Sequence, residues 1–146
     1  MPDTVEYRGR EAPPPGQALE VAPGVHWPRM PLPFRLNHIN LWLLEDGDGW
    51  VIVDTGLFDP ETTAPWGGVF ETTLARHPVR RIVVTHFHPD RVGMAGRPCD
   101  RLGIGIWMIQ AEWLWATSID TVPAARLSLL IARGSMRRTA RRRIRV

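Results

Sequence analysis

Lysine is missing altogether: all 18 basic residues are Arg. Cysteine occurs once, as Cys99, which excludes an internal disulfide. With no CxxC partner beside Pro98 and Asp100, it reads as a small packing residue. No apolar run approaches the roughly 18 residues that a bilayer span needs, so no membrane span is expected. Residues 1–6 have neither the basic nor the apolar stretch of a secretory signal, and the expected location is cytoplasmic. Histidine stops at His88 and acidic residues stop at Asp120. What remains is ample for one domain: 146 residues, 44% of them apolar.

The net charge of +3 conceals two compositions joined end to end. Residues 1–120 carry 10 Arg against 15 acids, a net of −5, whereas residues 121–146 carry 8 Arg and no acid. The chain divides accordingly. Residues 1–20, with Pro13, Pro14, Pro15 and Gly16, are expected to be a flexible leader, since such a run suits neither helix nor sheet interior. Residues 21–120 form the expected domain. Residues 121–146 are an Arg-rich tail, expected to be disordered or to be GC-rich coding sequence read out of frame. Such a tail also suggests salt-sensitive contacts with an anionic partner, but no nucleic-acid-binding fold accompanies it, so no specific nucleic acid is expected.

Within the domain, residues 21–31 alternate short apolar stretches with Pro, as an edge strand does. Residues 36–44 and 50–53 are apolar runs around the cluster Glu45-Asp46-Gly47-Asp48-Gly49, the pattern of a β-hairpin. Asp59, Pro60 and Glu61 supply an N-cap, a first-turn proline and an early acid, predicting a helix to about residue 74 or 76, with Gly67 and Gly68 weakening it. Residues 80–85 are a β-branched strand, and a helix is expected from about 90 to 101. A short strand over 104–108 and a helix over 111–119 follow. The order β-β-β-α-β-α-β-α is that of a mixed α/β layer, a sheet covered by helices.

The chemistry gathers at Thr85-His86-Phe87-His88-Pro89-Asp90. Residues two apart in an extended segment point to the same side, so His86 and His88 can reach one ion. Asp90 follows where the chain turns into a helix. Two imidazoles and a carboxylate suit Zn²⁺ or a similar first-row ion. Elsewhere, His38 reads as a structural hairpin residue, His26 as a surface strand residue, and His77 as a helix C-terminal residue.

A β-branched strand, then T-H-x-H-x-D, then a helix start resembles the metallo-β-lactamase superfamily. The stretch Val51-Ile52-Val53-Asp54-Thr55-Gly56 resembles that family's preceding motif, and residues 29–103 are similar to its hydroxyacylglutathione hydrolase and lactonase branches. The resemblance implies the amino-terminal half of an αββα sandwich, an α/β (α+β) fold. It implies a zinc-dependent hydrolase with one or two ions, whose activated water attacks a small-molecule thioester, ester or lactone. Carried over by position, His86 and His88 match ligands of the first metal. Asp90 matches a ligand of the second metal and is the expected catalytic residue. Asp54 matches an aspartate that supports the site without touching metal. Two departures make activity uncertain. Arg91 stands where the motif has a final His, and a guanidinium cannot ligate. The family's remaining ligands come from later in the chain, where this sequence has no His. The alternative expectation is a truncated, inactive fragment or pseudoenzyme, with exposed apolar surface that favours self-association.

Overall fold

The computed structural model describes residues 11–118. The chain opens with an antiparallel pair, β1 (Ala18–Ala22) and β2 (Val25–Pro31). A short β3 (His38–Asn40) returns against β2, and the hairpin β4 (Trp42–Asp46) and β5 (Gly49–Val53) follows. Helix α1 (Pro60–Glu71) and a 3₁₀ turn (Leu74–Arg76) lead to β6 (Val79–Val83). Then come α2 (Pro89–Val92), α3 (Gly96–Leu102), β7 (Ile106–Trp107) and α4 (Gln110–Ser118). The strands make one seven-stranded mixed sheet in the order β1-β2-β4-β5-β6-β7, with β3 joined to β2. The pairs β5–β6 and β6–β7 are parallel and the rest antiparallel.

The physical causes are local. The β4–β5 turn needs a left-handed residue, and Gly47 supplies it at φ 64°. β5 lies in mid-sheet, and Trp50, Val51 and Ile52 are all buried there, which is why this strand reads as continuously apolar rather than alternating. β2 does alternate: His26, Pro28 and Met30 are buried while their neighbours are half-exposed. In α1 the Asp59 side chain caps the Glu61 N–H at 2.9 Å, with Pro60 in the first turn. The helix is fixed to what precedes it by two side chains. The Trp66 indole donates to the Thr55 carbonyl at 2.8 Å, and the Thr62 hydroxyl donates to the Pro31 carbonyl at 2.9 Å. Around these lies one core of Met30, Leu41, Leu43, Trp50, Ile52, Trp66, Val69, Ile82, Val92 and their neighbours.

Four expectations are revised. Sheet structure begins at Ala18, inside the stretch read as a flexible leader, and residues 21–31 are not one edge strand. β1 takes the edge and β2 lies inside it, because the Pro23-Gly24 turn folds the segment back on itself. The single helix expected over 90–101 is two. After Val92 the Met94 N–H leaves the helical ladder and donates to the Gly56 carbonyl at 3.0 Å, binding this segment to the loop after β5. A β-carbon at Gly93 would fall 2.8 Å from the Phe58 backbone nitrogen, so only glycine allows that approach. Finally, His26 is not a surface residue: it is 6% exposed, packed edge-on against Trp50 at 5.0 Å and bonded to Glu45 at 3.2 Å. The Arg-rich tail lies outside the described residues. Among the described residues no helix is long and apolar enough to cross a membrane.

Candidate metal centre

The site forms where two adjacent parallel strands, β5 and β6, reach their carboxyl ends. The ladder runs one step past β5, with the Asp54 N–H donating to the Val83 carbonyl at 2.8 Å, and the backbone then turns sharply at Asp54, φ 62°. A left-handed conformation is uncommon outside glycine, although aspartate tolerates it better than most residues. Here it aims a carboxylate that is almost wholly buried, with Asp54 2% exposed, at the segment following β6. The Thr85 N–H donates to Asp54 Oδ1 at 2.8 Å, and the Thr85 hydroxyl lies 2.9 Å from Oδ2. Asp54 thus pins the residue just before the histidine pair.

That geometry carries into the imidazoles. Thr85 Oγ1 is also 2.9 Å from His86 Nδ1. Its one proton is committed to the Asp54 carboxylate, so His86 Nδ1–H donates to the hydroxyl oxygen. His86 Nε2 then keeps its lone pair, and faces His88 Nδ1 at 3.1 Å. In the neutral pair, His88 Nδ1–H donates across that gap. The rings lie 4.6 Å apart at 77°. Nitrogens bound about 2.05 Å from one tetrahedral zinc stand about 3.3 Å apart. The observed separation fits two ligands of one ion.

A third donor does not join them. Among the described residues no three His, Cys, Asp or Glu side chains gather as a metal-holding group. Asp90, expected in the same cavity, has its Oδ2 3.8 Å from Arg91 Nε, and the Arg91 Nη1 lies 3.2 Å from Asp54 Oδ2 and 3.5 Å from the Asn40 carbonyl. The Arg91 side chain is only 30% exposed, and its guanidinium lies within ion-pair distance of both carboxylates. The Arg91 main chain is held as firmly: its carbonyl accepts both the N–H and the hydroxyl of Thr55, each at 2.8 Å. The described donors therefore fit two corners of a zinc site and not a closed site.

Two contributors were not legible in advance. Thr85 lies within the T-H-x-H-x-D motif but had no expected role, and a hydroxyl-bearing residue before the pair was the available signal. Glu112, on α4, accepts the Phe87 N–H at 3.0 Å, and no local pattern signals a bond spanning 25 residues. Cys99 is buried, and desolvation, with Asp100 adding to it, pushes its thiol up to about 12, in keeping with a packing role.

The chain resembles known proteins of one fold family. None of the curated proteins matches the chain. A beta-lactamase domain protein from Burkholderia ambifaria is similar in structure at 42% identity and a TM-score of 0.69, over 75% of this chain and 34% of that one. A metallo-β-lactamase from Hirschia baltica shares 25% identity at a TM-score of 0.56, over 74% of this chain and 49% of its own. The metallo-β-lactamase FIM-1 from Pseudomonas aeruginosa, solved in its mono-zinc form, shares 26% identity at a TM-score of 0.56, over 74% of this chain and 48% of that one. The chain thus spans between a third and a half of the length of these relatives. Residues 35–140 match the family described as the metallo-beta-lactamase superfamily, a span that runs across Asp120 into the Arg-rich stretch. With the paired imidazoles and the aspartate behind them, these matches place the chain in the metallo-β-lactamase superfamily.

Proposed function

We propose that this chain holds the amino-terminal share of a hydrolase site for a small thioester, ester or lactone, and that the described residues do not turn over substrate alone. One observation carries the reading. His86 and His88 converge at 3.1 Å, while the carboxylate expected beside them lies 3.8 Å from Arg91. Two imidazoles give at most a loose, single-ion site, and tetrahedral zinc needs three protein donors to hold a reactive water. In this reading Asp54 orients the pair through Thr85, and Asp90 is neutralised by Arg91 instead of ligating. The chemistry is that of the family, and its completion requires donors from outside the described residues.

The test is a panel of thioester, ester and lactone substrates offered to the full chain with added zinc. The expected result is no turnover above the free-ion background. Turnover that saturates with substrate and disappears in His86→Ala would overturn the reading.

A further inference from the structure

The two histidines are joined by one residue, Phe87, and that residue is held from a distance. Its N–H donates to Glu112 Oε2 at 3.0 Å. Its ring lies 6.1 Å from Trp115, tilted by 31°, and 4.8 Å from His88, edge-on at 78°. Glu112 and Trp115 stand three residues apart in α4, on one side of the helix. One face of α4 therefore grips the linking residue by its backbone and by its ring.

The backbone contact decides the geometry. The Phe87 N–H belongs to the peptide plane between His86 and Phe87, and only the φ and ψ of Phe87 lie between that plane and the next, which carries His88. Fixing the plane limits how the two imidazoles turn relative to one another. Asp54 fixes the peptide plane between Val84 and Thr85, two planes earlier, through the Thr85 N–H. Without a partner of its own, the plane between His86 and Phe87 would be free to rotate. A carboxylate is a strong acceptor for a backbone N–H, and its charge makes such a bond firmer than a neutral one.

We infer that Glu112 is a positioning residue for the His86–His88 pair, setting their mutual angle through the Phe87 N–H. The inference rests on the reading that this pair is the binding element of the site. Its test needs no zinc, however, so failure here leaves metal binding untouched, and failure of metal binding leaves this test intact.

The experiment is NMR on the full chain without metal, comparing the parent with Glu112→Ala and Glu112→Gln. Two readouts are followed: hydrogen exchange at the Phe87 amide, and the ring-to-ring Overhauser effect between His86 and His88. In Glu112→Ala the Phe87 amide exchanges about tenfold faster or more, as loss of a charge-assisted bond requires, and the ring-to-ring effect weakens. Glu112→Gln keeps a carbonyl acceptor of nearly the same reach, and it retains the ring-to-ring effect. Three results would overturn the inference. One is a ring-to-ring effect unchanged in Glu112→Ala. Another is its equal weakening in Glu112→Gln. The last is exchange rising uniformly through β5 and β6 in Glu112→Ala, which signals general loss of fold instead of a released tether.

Discussion

Replacing Asp54 by alanine should be far more damaging than a single buried side chain of its size suggests. The carboxylate accepts the Thr85 N–H at 2.8 Å and the Thr85 hydroxyl at 2.9 Å, and it pairs with Arg91 at 3.2 Å. Bonds to a charged acceptor contribute about 1.5–3 kcal/mol each when buried, and Thr85 is exposed, so the low end applies to both. The Arg91 pair adds no more than about 1 kcal/mol, because the Arg91 side chain is 30% exposed and the pair is partly screened. Alanine must also adopt φ 62°, costing about 1 kcal/mol more. Water repays part of this at Thr85, leaving a loss of about 3–4 kcal/mol. At about 3–4 °C per kcal/mol, that is a fall of about 10–15 °C in the melting midpoint. Asparagine tolerates the left-handed backbone and keeps an acceptor for Thr85, so Asp54→Asn should lose only about 1–2 kcal/mol. Urea unfolding followed by tryptophan fluorescence, with Trp50 in the core, measures both. Asp54→Ala within about 1 kcal/mol of the parent, or no worse than Asp54→Asn, would refute the reasoning.

Other outcomes follow from the same structure. Cys99, its thiol pushed up to about 12 by burial, should resist an aromatic disulfide reagent at pH 8 and react only as fast as the chain unfolds; rapid labelling of folded protein would contradict this. Because that shift is upward from 9.0, its contribution to stability is present below pH 9 and is lost as pH rises from 9 towards 12, which denaturation at stepped pH will show. Gly93→Ala places a carbon 2.8 Å from the Phe58 backbone nitrogen, which cannot move as a side chain can, and should cost more than about 1.5 kcal/mol in the same urea assay. Arg91→Met should destabilise by leaving Asp54 buried without its cation, and combining it with Asp54→Asn should recover part of the loss. Simple additivity of the two would show that the 3.2 Å pair carries no coupling.

Much of the fold was legible because its signals are local. Asp59, Pro60 and Glu61 start α1 where expected, and Gly47 turns the β4–β5 hairpin where the Gly/Asp cluster lies. What was illegible depends on partners distant in sequence. The break after Val92 comes from the Gly56 carbonyl, and the burial of His26 from Trp50 and Glu45. The site divides in the same way. Spacing alone placed His86 and His88 on one side of the chain, and they do converge. The family resemblance, not spacing, gave Asp54 a supporting role, and its carboxylate bonds Thr85, the residue before the pair. The Asp90 carboxylate stands 3.8 Å from its sequence neighbour Arg91, whereas Glu112 lies 25 residues from the bond it makes, and no local pattern expresses that.

Zinc titration of the full chain by calorimetry, with three single variants beside the parent, tests the central claim most directly. The two-imidazole geometry predicts weak binding of no more than one ion per chain. That binding should be abolished by His86→Ala and by His88→Ala, and left almost unchanged by Asp90→Asn. Tight binding of two ions per chain, or loss of binding in Asp90→Asn, would contradict it.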